Sequence, residues 1–177
     1  PGPNQGSRHS QSASLAGLSY PMYVDFRDQA EVFDGVLAHW PEAVHLGVKG
    51  VTEQAQADVV SGNYFEVLGV GAALGRVFSA EDDVTPGAHP VVVLSHGFWQ
   101  RRFGGDPAVL DQVVSLNGRP MTVIGVAAAG FHGIEVGRAM DLFVPLAMQE
   151  TLMPNWGGEV LSKRRVVWLT ALARLKP

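Results

Sequence analysis

The dipeptide Asn117-Gly118, set between the apolar runs Gln112–Leu116 and Met121–Val126, restricts the fold more than any other feature of the chain. Asn followed by Gly favours the left-handed backbone that a two-residue turn demands, so the flanking runs should pair as an antiparallel hairpin. A hairpin buries little by itself and needs further strands beside it. Val91–Leu94, a continuous Val-Val-Val-Leu run, is expected to be a strand buried on both faces. From Gln54 the pattern has a period of two: Ala55, Ala57 and Val59 face one way, and Gln54, Gln56 and Asp58 the other. Two short strands, Val36–Trp40 and Val44–Val48, are expected on either side of Pro41. Asp141–Val144, closed by Pro145, and Val166–Leu175 complete the strand set.

The helical signals are all short. Ser19 can cap a first helix with Pro21 in its first turn, and Met22, Tyr23, Phe26, Ala30 and Phe33 recur at helical spacing until Asp34-Gly35. Ser61-Gly62-Asn63-Tyr64-Phe65 should turn the chain into a short helical stretch ending at Gly69. Ser79 and Asp82 have the spacing of a capping box. Ser95 is placed to cap a helix over Gly97–Phe103, and Asp106-Pro107 to begin another. Gly157-Gly158 reads as a joint. With 21 Gly and 11 Pro in 177 residues, strands meet through turns and short helices rather than long crossovers. The expected class is therefore α+β, with mixed, largely antiparallel sheets.

Composition narrows the function. A chain that is 46% hydrophobic and 17% charged buries a core. Its net charge is −4, and cationic residues bunch only at Arg101-Arg102 and Lys163-Arg164-Arg165, which argues against a nucleic-acid partner. With no cysteine there is no disulfide and no thiolate metal site, although this does not fix the compartment. No window supplies the roughly 18–20 apolar residues that cross a bilayer. The nearest, Met121–Ile134, is broken by Gly, Thr122 and His132. Residues 1–17 read as a disordered linker without a signal-peptide core, and the chain reads as an excerpt from a longer polypeptide.

Candidate chemistry is sparse. Ser95-His96-Gly97 lies at a strand-to-helix turn, but a nucleophile elbow needs Gly at position 93, which is Val; a Ser95-centred hydrolase is the weaker reading and a helix cap the stronger. His9, His39, His45, His89, His96 and His132 form no H-x-H or H-E-x-x-H pair. Glu81-Asp82-Asp83, near His89, lacks the alternating oxygen ligands of a calcium loop and reads as a solvated loop. Gly69-Val70-Gly71-Ala72-Ala73-Leu74-Gly75 loosely resembles a dinucleotide fingerprint without the strand and helix that would frame it. Trp40, Trp156 and Trp168 read as core residues, with an aromatic ligand cleft as the alternative. No catalytic, cofactor-binding or metal-binding residue is assigned, and no cofactor.

Several segments, taken in order, resemble the MacB-like periplasmic core domain of ABC-transporter permeases, most closely the duplicated orphan permeases. They are Leu18–Pro21 with Tyr23–Arg27, Val60–Val70, Leu74–Phe78, Val91–Phe103 with Gly104–Pro107, the hairpin through Gly130–Gly133, Asp141–Leu146 and Ala173–Pro177. The resemblance implies a non-catalytic domain on the periplasmic face of the cytoplasmic membrane, built as two lobes. A Porter-like lobe would span about 18–68 and 159–177, interrupted by a Sabre-like lobe over about 69–158. It would be C-terminally incomplete, with a strand edge left exposed. The implied function is transmission of ATP-driven movement during export, together with docking of substrate or partner proteins. The implied partners are a cytoplasmic ATPase reached through transmembrane helices, a periplasmic adaptor, an outer-membrane duct, and a second copy of the domain.

Overall fold

The computed structural model describes residues 17–29, 33–157 and 159–176. Along them run α1 (Tyr20–Gln29), β1 (Phe33–Val48), β2 (Val51–Val60), α2 (Tyr64–Leu68), β3 (Ala72–Gly75), β4 (Val91–Leu94), α3 (His96–Phe103), β5 (Val113–Leu116), β6 (Arg119–Ala127), β7 (Leu142–Pro145), α4 (Gln149–Leu152) and β8 (Thr170–Leu175). Short 3₁₀ turns cover Ala80–Asp83, Pro107–Val109, Leu146–Met148 and Pro154–Trp156. The linker expected over 1–17 lies outside the described residues except for Gly17, and so does Gly158 of the expected joint.

Asn117 (φ 50°) and Gly118 (φ 80°) both adopt the left-handed conformation, and β5 pairs antiparallel with β6 as the dipeptide requires. A second turn of the same kind, Lys49 (φ 49°) and Gly50 (φ 82°), joins β1 to β2. Lysine there gave no turn signal. The strands connect in the order β2-β7-β4-β6-β5-β1, and β1 bonds back to β2, so six strands close into a ring. β8 adds to the first half of β1 outside the ring, and β3 adds to β6. Pairing is parallel for β2 with β7 and for β4 with β6, and antiparallel elsewhere among the described strands, so the mixed, largely antiparallel α+β expectation holds.

The period-two pattern fills the ring. Alternate residues such as Val44, Leu46, Ala55, Ala57, Val92, Leu94, Met121, Val123, Leu142 and Val144 are buried and share one cluster. Residues of the opposite parity on β2, β7 and β4 (Val60, Phe143, Val93) belong to a second cluster with Tyr64 and Phe65 of α2. That outer layer buries both faces of these strands. It is why Asp58, expected on a polar face, is fully buried.

Two expectations are corrected. The first helix is described over Tyr20–Gln29, Ala30 lies outside the described residues, and Phe33, Asp34 and Gly35 open β1 instead of closing the helix, because Phe33–His39 pair along β8. The two strands flanking Pro41 are one 16-residue strand. His45 turns its N–H and C=O toward Asn117 (2.8 and 2.9 Å) while Ala38 turns its own toward Ser61, so odd-numbered residues of β1 face the β5/β8 side. Pro41 falls on that side between the β8 pairing, which ends at His39, and the β5 pairing, which begins at Leu46. No ladder bond is asked of its missing N–H. The last strand also begins later than Val166: Trp168 and Leu169 bond to Leu18, and the ladder starts at Thr170.

Candidate functional site

Of the residues that sequence reasoning weighed for chemistry, His9 lies outside the described residues. Ser95 is buried, and its Oγ accepts from Phe98 N at 3.3 Å as the N-cap of α3. The His96 ring stands edge-on to Trp99 at 5.4 Å, and no histidine or carboxylate bonds to Ser95 Oγ among the described residues. Gly69 is the left-handed C-cap of α2 (φ 69°). Gly75 (φ 64°) crosses β6 so closely that a Cβ would lie 2.4 Å from Ile124 O. The glycine run is thus a turn and an antiparallel strand, with no phosphate-facing helix N-terminus.

Glu81-Asp82-Asp83, expected as a solvated loop, turns two of its carboxylates inward. Arg76 grips Asp82 through both terminal nitrogens (2.7 and 2.8 Å) and holds that carboxyl below its usual range, while Ser79 and Asp82 complete the capping box. Asp83 accepts from Ala147 N (2.6 Å) and Gly62 N (3.0 Å), and burial pushes its carboxyl up to about 6. The departure has a simple cause: the main-chain donors that satisfy Asp83 come from residues 21 and 64 positions away.

Those bonds form part of a junction. Tyr23 OH of α1 donates to Asn63 Oδ1 (3.2 Å), Asn63 Nδ2 donates to Val36 O of β1 (2.9 Å), and Ser61 Oγ donates to Asn63 Oδ1 (2.7 Å). The turn Ser61-Gly62-Asn63 therefore ties α1, β1 and the 3₁₀ turn at Ala80–Asp83 to one point. Gly62 permits the approach, since a Cβ there would lie 2.8 Å from Ser79 O.

His39, weighed above only as a metal ligand, and Asp58, expected on a polar face, are instead buried together. His39 Nδ1 meets Asp58 Oδ1 at 2.9 Å with both side chains buried, and Tyr64 OH donates to Asp58 Oδ2 at 3.3 Å. Burial, reinforced by the Asp58 charge, pushes the Tyr64 hydroxyl far above its ordinary range, so it stays a donor. The available signal was a lone His and a lone Asp, each inside an apolar strand.

Trp40, Trp156 and Trp168 pack edge-on against one another with centroids 5.3–6.1 Å apart, and Trp168 is buried. Trp156 alone of the three lines a groove of about 980 Å³ on the outer face of β1 and β5. Its floor includes Ala43, Gly47 and Ser115, with Lys49 and His45 along it. Asn117 fixes one wall by donating from Nδ2 to Leu152 O at 2.9 Å, a second role for a residue read only as a turn former.

These features amount to packing, capping and tethering, with an open groove. Among the described residues no group of three or more His, Cys, Asp or Glu side chains is placed to hold a metal ion, and no helix is long and apolar enough to cross a membrane. Comparison with known proteins agrees on one kind of relative. A "probable export ATP-binding/permease protein" of Pseudomonas fluorescens (strain Pf0-1) is 35% identical over 136 residues, 77% of this chain and 20% of the relative. A "probable syringafactin export ATP-binding/permease protein" of Pseudomonas syringae pv. tomato is 35% identical over 97 residues, 55% of this chain and 14% of the relative. The chain thus spans a fifth or less of these relatives' length. Among solved structures, the periplasmic region of MacB from Actinobacillus actinomycetemcomitans superposes with a TM-score of 0.68 at 20% identity, covering 92% of this chain and 66% of that one. A domain of a putative permease protein from Porphyromonas gingivalis gives 0.65 at 16% identity, covering 92% and 65%. These two likenesses establish the fold. The MacB-like periplasmic core domain family matches residues 2–177, and the chain belongs to that family.

Proposed function

We propose that this chain is the extracytoplasmic part of an ABC-transporter permease, passing movement generated by ATP hydrolysis in the cytoplasm to the periplasmic side during export. The observation that carries this reading is β1. Its 16 residues pair with β8 over Phe33–His39 and with β2 from His39 to Val48, so one strand belongs to both the α1/β8 region and the closed ring. At about 3.3 Å per residue such a strand extends roughly 50 Å and moves as a unit. The junction at Ser61-Gly62-Asn63 fastens α1 to it. Leu18 bonds to Leu169, so the segments leading into α1 and β8 lie side by side and tie both to the same end of the β1–β8 pair.

Within this proposal the Porter-like lobe comprises about 18–68 and 159–177 and the Sabre-like lobe about 69–158, with β1 and β2 lending strands to the ring. The partners are an ATPase acting through the membrane helices and a second copy of the domain, with an adaptor and an outer-membrane duct at the far side. The groove beside Trp156 is the surface for docking substrate or partner.

The test uses the full-length permease with the single substitution Val136→Cys, at a fully exposed site in a domain that has no cysteine of its own. A membrane-impermeant maleimide should label it in intact cells. A spin label there should change its distance to the same site on a second copy when ATP is trapped. Failure to label from outside, or a distance unmoved by nucleotide, overturns the proposal.

A further inference from the structure

The segment Phe131–Met140 crosses the outer layer as a strap. Phe131 stacks on Phe143 (5.5 Å, 28° between rings), Arg138 bonds to Gln56, and Met140 N donates to His132 O. Near its middle, Glu135 places Oε1 3.7 Å from His39 Nε2, while His39 Nδ1 is engaged by the buried Asp58. The charged and titratable groups against the imidazole are therefore Asp58 from β2, Glu135 from the strap and, through Asp58, Tyr64 from α2. Opposite it on β8 stands the uncharged Thr170.

The chemistry of the ring gives this arrangement a direction. Asp58, fully buried, needs a donor, so the proton stays on Nδ1. A neutral His39 then offers only a lone pair at Nε2, and the Glu135 carboxylate offers only lone pairs in return. Two acceptors repel. An imidazolium donates from both nitrogens and attracts both carboxylates. We infer that the Phe131–Met140 strap is a proton-linked latch, closed by Glu135 when His39 carries a charge and loosened when it does not. Closure covers Tyr64 and Phe143, whose rings Phe131 touches. Because the Glu135 side chain is about a third exposed, the ion pair is of the half-solvated kind, and the expected effect is about two- to fivefold in local opening.

Amide exchange of the strap, followed by mass spectrometry across about pH 5 to 8 and corrected for intrinsic rates, tests the latch. The buried strand Val91–Leu94 serves as internal reference. The wild type should exchange two- to fivefold faster in the strap at the alkaline end. Glu135→Gln should abolish that pH dependence while keeping the strap protected, since the amide donates to a neutral Nε2 and accepts from a charged one. Strap protection that ignores pH in the wild type, or an unchanged pH profile in Glu135→Gln, overturns the inference.

Discussion

Asp83→Asn isolates one titrating group at the crossing of three segments. Asp83 accepts main-chain bonds from Gly62 and Ala147, yet burial outweighs those bonds and lifts its carboxyl from 3.8 to about 6. A raised carboxyl stabilises the fold fully below the unfolded value and loses that stabilisation as pH climbs through about 6. The whole displacement corresponds to about 3 kcal/mol as an upper bound. Since Asp83 is only partly buried, solvent screening reduces this to about 1–2 kcal/mol. Asparagine does not titrate. It keeps one acceptor for Ala147 N–H or Gly62 N–H and loses the other, a pH-independent cost of about 1 kcal/mol. Urea unfolding followed by tryptophan fluorescence at about pH 4, 6 and 8 gives the stability difference between variant and wild type. That difference should move in the variant's favour by about 1–2 kcal/mol from the acid to the alkaline end, mostly between pH 4 and 7. A flat difference, or one that grows in the wild type's favour as pH rises, would refute burial as the dominant influence on Asp83.

Three further substitutions test the packing, the hairpin turn and the cap. Gly125→Ala would set a Cβ 1.9 Å from Arg76 O, a main-chain atom, and should cost about 3 kcal/mol or more in urea unfolding, whereas Gly118→Ala, with open space but φ 80°, should cost about 1–2 kcal/mol. Ser95→Ala should lose about 1 kcal/mol as a lost N-cap, and the wild type should stay unlabelled by a fluorophosphonate probe; labelling at Ser95 would restore the hydrolase reading.

What the sequence determined by itself is local. Asn117-Gly118 set its hairpin, Ser95 and Asp106 capped the turns that follow them, Ser79 and Asp82 formed their box, and Ala55, Ala57 and Val59 found the core face. In each case the deciding interaction spans at most four residues, so composition and spacing contain it. The ordered motifs pointed to the family for the same reason, residue by residue. The tertiary structure alone decided that β1 runs unbroken through Pro41, because only the placement of β8 and β5 leaves that edge unpaired. It also decided the closure of the ring by β1 on β2, the burial of His39 with Asp58, and the inward turn of Asp83 toward Gly62 and Ala147. His39 and Asp58 stand 19 positions apart, Gly62 and Asp83 21, and Asp83 and Ala147 64, and whether a polar side chain is solvated or locked depends on the layer that happens to cover it.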